Sequence, residues 1–185
     1  MAKARDVARY ILSQRHAQGH MTTTLTLQNL LYYCQAWMLV AKDRELFSEL
    51  IEAGEHGPVV QDSFTSYCGS HKYIFPREIL DSDANQLTIE ERSLIEHVME
   101  SYNEVEDGDL DDKLEEISHA ENPWSDARET DDKIITRESM LDYYSALQAD
   151  PSKSHAAPIP NLTDVSDRTF ISQEDGDWMS SLLAE

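Results

Sequence analysis

The sequence predicts a predominantly α fold: one compact helical domain of about six to seven helices, with short β segments and a flexible C-terminal tail. Three observations carry this reading. A 3.6-residue apolar stripe runs through Leu27, Leu30, Leu31, Cys34, Trp37, Met38 and Ala41. Helix-start signals recur at Thr22-Thr23-Thr24, at Thr88-Ile89-Glu90-Glu91 and at Thr136. The chain has 185 residues, 40% of them hydrophobic, which is enough for one sizeable core and too apolar for an acidic disordered chain.

The elements follow in order. Val7, Ala8, Ile11 and Leu12 make the inner face of a first helix that Gly19 stops. The threonine run caps the second, which carries the clearest stripe and is the expected central core helix. Gly57-Pro58 predicts a third helix, with proline in its first turn and Val60, Phe64 and Tyr67 facing inward. The capping box at Thr88 opens a helix with Ile95, Val98, Met99 and Tyr102 on one face. Leu110, Leu114 and Ile117 mark a short amphipathic helix, and Asn122-Pro123 an N-cap and first turn. Thr136 begins the last substantial helix, through Met140, Tyr144 and Leu147. Short β pieces fit around 46–53, 73–80 and 134–135. After Ala149 the periodicity stops, so residues 1–147 read as the domain and 148–185 as linker and tail, with a short apolar helix at Trp178, Met179, Leu182 and Leu183.

Charge narrows the function. Fifteen Lys and Arg stand against 36 Asp and Glu, a formal net charge of −21. Such a surface suits neither nucleic-acid phosphate nor anionic membrane. The acidity is uneven: residues 1–44 are net +4, residues 45–147 net −20, and nine acids fall between Glu100 and Glu116. A single-sign patch of this kind is a solvated face or a docking field for a basic protein. Asp107, Asp109, Asp111, Asp112, Glu115 and Glu116 are its candidate contact residues, with Trp178 and Leu182 as apolar anchors in the tail.

Cys34 and Cys68 lie far apart beside aromatic neighbours and read as buried free thiols. With no apolar stretch long enough for a membrane helix, the expectation is a soluble cytoplasmic protein. No phosphate loop, zinc-protease motif or nucleophile elbow occurs, so no catalytic residue, cofactor or metal is assigned. His56, ahead of Gly57-Pro58, is read as a turn residue rather than a general base. A metal hydrolase built on His56, His119 and Glu121, and an acidic mimic of nucleic acid that blocks a nucleic-acid-binding enzyme, are the competing readings.

Three segments stand together in order: Leu27-Gln28-Asn29-Leu30-Leu31-Tyr32-Tyr33-Cys34-Gln35-Ala36-Trp37, then Ile51-Glu52-Ala53-Gly54-Glu55-His56-Gly57-Pro58-Val59-Val60, then Ser118-His119-Ala120-Glu121-Asn122-Pro123-Trp124. Their order and spacing resemble the Panacea domain family, which includes the SocA-like antitoxins and proteins labelled phage-associated. The resemblance rests on Leu27, Gln28, Leu31, Tyr32, Trp37, His56, Gly57, Pro58, Val59, His119, Glu121, Pro123 and Trp124, and covers about residues 5–147. Asn29, Gly54 and Ser118 depart from a pattern that has lysine, tryptophan and threonine there. The resemblance implies a non-enzymatic antitoxin of a bacterial or prophage pair, binding a toxin encoded beside it.

Overall fold

The computed structural model describes residues 1–61, 73–103, 110–153 and 157–167. Among the described residues, six helices and one hairpin are found: α1 (Ala4–Ala17), α2 (Thr24–Lys42), β1 (Ile51–Gly54), β2 (Gly57–Val60), α3 (Ile89–Asn103), α4 (Leu110–His119), α5 (Asn122–Arg128) and α6 (Arg137–Ala149). Helix α2 is the axis. It packs against α1, α3, α4, α6 and β2, and every residue from Thr26 to Ala41 is buried. The predicted stripe is therefore one side of a helix enclosed on all sides.

Full enclosure places polar side chains of α2 in the interior, where each needs a partner. The Gln35 side-chain oxygen accepts from the Leu46 and Phe47 amides (2.8 and 3.2 Å), and its Nε2 donates to the Phe47 carbonyl (3.0 Å). One amide side chain thus fastens the α2–β1 connection. Gln28 accepts from the Val60 amide at 2.8 Å and fixes β2 in the same way.

Four helix starts are capped, two of them with help from remote carboxylates. Thr23 caps α2 by accepting from the Thr26 amide, and Thr23 and Thr26 both donate to Asp111 of α4. A carboxylate at a helix N-terminus is favoured by the dipole as well as by the hydrogen bonds. The α1 start has no local cap; the Ala4 amide donates instead to Glu49, 45 residues away (3.0 Å). The capping box of α3 forms as predicted, with the Glu91 amide on Thr88 (3.2 Å) and the Thr88 amide on Glu91 (3.0 Å). Thr136 caps α6 by accepting from the Ser139 amide.

Two expectations are corrected. Gly57-Pro58 opens no helix: residues 57–60 are β2, antiparallel to β1, with Ala53 opposite Pro58 and Gly54 opposite Gly57. Gly57 sits at φ +124°, a backbone state reserved for glycine, and this turns the chain back instead of into a helix. Phe64 and Tyr67 lie outside the described residues, as does Cys68. Asn122 is not the N-cap of α5 but its first residue; Glu121 holds the cap position with extended backbone. Of the short β pieces, 51–54 becomes β1, Ile134 bridges Glu52, and Tyr73 bridges Thr23 before a 3-10 turn at Pro76–Glu78.

Residues 157–167 lie against the domain. Ala157, Leu162 and Val165 are buried, and the Asp167 amide donates to the Ala41 carbonyl at the C-terminal end of α2.

Candidate functional site

The three sequence segments converge on the interior. From α2 come the rings of Tyr32, Tyr33 and Trp37; α3 adds Tyr102 and α6 adds Tyr144, all fully enclosed. Tyr33 stacks on Tyr102 with centroids 4.1 Å apart, and the Tyr144 ring meets Tyr32, Tyr33 and Trp37 edge-on. Such aromatic pairs add to simple area burial.

Glu121 enters this cage from the α4–α5 joint, 1% exposed. Its Oε2 accepts from the Tyr144 hydroxyl at 2.6 Å and from Tyr33 at 3.5 Å, and Tyr144 also bonds Tyr32 at 3.1 Å. The Trp37 indole donates to the Tyr102 hydroxyl at 3.3 Å. Burial is the dominant influence on the carboxyl and pushes its pKa up to about 8, against the pull of the two tyrosine bonds. The acid is therefore mainly protonated at pH 7. Burial, with Glu121 as the next cause, holds Tyr32, Tyr33, Tyr102 and Tyr144 well above the usual tyrosine range.

The other motif residues build the wall between this cage and the hairpin. His119 stacks on Trp124 at 3.9 Å. The Trp124 indole donates to the Gly54 carbonyl (3.2 Å) and Arg128 to the Ala53 carbonyl (3.2 Å), so α5 grips β1 by its backbone. Pro58 and Pro123 are buried, as are Leu27 and Leu31. A side chain at Gly57 would meet Ser118 and Asn29, whereas one at Gly54 would overlap Val59 Cγ2 at 2.8 Å and the Gly57 carbonyl at 2.9 Å. Each of the three departures from the family pattern thus sits in a packed interior contact. Asn29 and Ser118 are fully enclosed, and Gly54 has no room for a larger residue with this backbone.

A scan against family models matches residues 27–125 to "Antitoxin SocA-like, Panacea domain". The chain belongs to this family. No curated protein and no solved structure matches it. The matched span of this Panacea domain runs from the start of the buried part of α2 to the first half of α5. α1, α6 and the 157–167 segment lie outside the match.

The surface of this Panacea domain carries the charge. His56 is exposed at the hairpin tip, 3.2 Å from Glu115 on α4. Asp112 and Glu116 are exposed, the latter 3.3 Å from Lys113. Asp111 differs from these: it is engaged by Thr23 and Thr26 and belongs to the α2 cap. Asp107, Asp109, Trp178 and Leu182 lie outside the described residues. Among the described residues, no group of three His, Cys, Asp or Glu side chains is placed to hold a metal ion. None of the described helices is long and apolar enough to cross a membrane.

Sequence reasoning places Tyr102 and Tyr144 on apolar helix faces and has no means of seeing the Tyr144 hydroxyl meet Glu121 or the Tyr102 hydroxyl meet the Trp37 indole. A signal existed: Tyr32, Tyr33, Tyr102, Tyr143 and Tyr144 are five of only eight tyrosines, set on three helices that must share one core.

Proposed function

We propose that this protein is the antitoxin of a bacterial or prophage toxin–antitoxin pair, and that it neutralises its toxin by direct protein–protein contact without catalysis. The observation that supports this is the division of labour in the structure. Most of the residues by which the family resemblance is read, His56 at the hairpin tip being the exception, are turned inward and hold the core, which leaves the outer face of α4 for contact with a partner.

That face is acidic, with Asp112, Glu115 and Glu116 beside Glu55 and His56. A basic toxin would be drawn to it electrostatically, and a few apolar or aromatic anchors would supply most of the affinity. Neutralisation is by occlusion of the toxin's working surface.

Co-expression with the product of the adjacent reading frame tests the reading. Growth rescue and a stable complex on size exclusion are expected. Loss of both, with each protein folded, rejects it.

A further inference from the structure

Glu121 has its backbone at the surface and its side chain in the core. Its chain neighbours Ala120 and Asn122 are exposed, and its own backbone is extended, at the N-cap position of the seven-residue α5. The side chain does not cap that helix. It turns inward, where Oε2 accepts from the Tyr144 and Tyr33 hydroxyls and Oε1 has no hydrogen-bond partner among the described residues. A rotation at this one joint separates an enclosed carboxyl from a hydrated one.

The groups around the carboxyl decide what its ionisation does. Within its electrostatic reach are Tyr32 and Tyr33 of α2, Tyr102 of α3, and Tyr143 and Tyr144 of α6. Burial holds all five above the ordinary tyrosine range, so they stay neutral near pH 8. His119 is turned to Trp124, and Glu115 of α4 to His56. Among the described residues no cation pairs with Glu121. An ionised Glu121 therefore has two tyrosine bonds and no counter-charge, in a site that already disfavours charge.

Linkage sets the size of the effect. Outside the cage the carboxyl has its ordinary pKa of 4.5; inside, burial pushes it up to about 8. Between those values each pH unit multiplies the ratio of wetted to enclosed Glu121 by up to about ten, and by up to about 3,000 over the whole window. The smallest unit that can move is α5. It buries only Pro123 and Ala127, whereas α2 is buried from Thr26 to Ala41. Local openings start from such lightly anchored pieces. Its polar hold on the hairpin is the Trp124 and Arg128 bonds to the Gly54 and Ala53 carbonyls.

We infer that the α4–α5 joint is a proton-controlled latch. With Glu121 protonated, α5 is closed on the core and holds β1; when that proton passes to water, the side chain turns outward and α5 lifts from β1 while the other helices stay packed. The latch acts on the hairpin tip beside the acidic α4 face. It operates in the protein alone and stands or falls independently of the antitoxin reading.

Amide exchange of the full native chain between pH 5 and 8.5, expressed as protection relative to a free amide at each pH, tests the latch. The α5 amides of Ser125, Asp126, Ala127 and Arg128 should be at least tenfold less protected than the α2 amides at every pH. Their protection should fall by close to tenfold per pH unit between about pH 5.5 and 7.5. In Glu121→Gln, α5 protection should no longer depend on pH. Protection of α5 equal to that of α2 would mean that only global unfolding wets Glu121, and overturns the inference. Lower but pH-independent protection would mean that α5 opens with the carboxyl still enclosed, and overturns it too. Both results are read on the native chain, so they decide the matter even where the variant does not fold.

Discussion

At Glu121 the fold holds a carboxyl group that water would ionise at neutral pH. Its ordinary pKa is 4.5, and burial pushes this to about 8. Between those values the unfolded chain has released a proton that the folded chain keeps. Stability contributed by this group is full below pH 4.5 and declines as pH rises toward 8, levelling beyond. Glu121→Gln keeps the shape and removes the ionisation. The native melting temperature should fall across this window relative to the variant's, and the variant should be the more stable protein at pH 8.5. Thermal denaturation of both across pH 5–9 checks this, and parallel curves would place the proton elsewhere. Gly54 makes a steric prediction at the same scale. Its Cβ would meet Val59 and the Gly57 carbonyl at under 3.0 Å, so Gly54→Ala should cost about 1–3 kcal/mol in urea unfolding.

The elements differ in where their ends are secured. For α3 the securing residues are local: Thr88 and Glu91 answer each other's amides, and Glu91 reaches Arg44 at 3.1 Å. Thr88→Ala should therefore cost about 1 kcal/mol, the usual value of an N-cap. For the α2–β1 connection the securing residue is Gln35, which satisfies two amides and a carbonyl in the core. Gln35→Ala leaves buried backbone groups without partners, and should cost more than the lost cap, by an amount in the range of about 1–3 kcal/mol per orphaned group. Urea midpoints of the two variants decide the order; a smaller loss for Gln35→Ala would mean that water replaces the amide. Legibility follows the same division. The helices at Thr88 and Thr136 are readable because the cap, the box and the apolar period lie within a few residues. The hairpin is not: Gly57-Pro58 satisfies the local rule for a helix start, and only the pairing of β1 with β2, with Gln28 on Val60, makes it a strand.

Over the whole molecule, charge and core are separated. The net charge of −21 sits on a frame whose central helix has no exposed residue between Thr26 and Ala41. A basic partner should therefore associate faster at low salt, and Asp112→Lys with Glu116→Lys should slow association several-fold while changing dissociation little. Stopped-flow rates against ionic strength test this with the adjacent frame's product; salt-independent association would exclude a role for the α4 face in encounter. Asp111 should not be pooled with these acids, since its removal weakens the start of α2 instead.

By itself the sequence determined the helical class, the central place of α2, most helix starts and the family, because each depends on periodicity, capping or ordered motifs within short spans. It also located the motif residues. What they do was decided only by the tertiary structure, because burial and hydrogen bonding belong to segments far apart in the chain. Glu121 became a protonated core group through tyrosines on α2 and α6, Asp111 a cap for a helix 88 residues earlier, and residues 157–167 a cover for the end of α2.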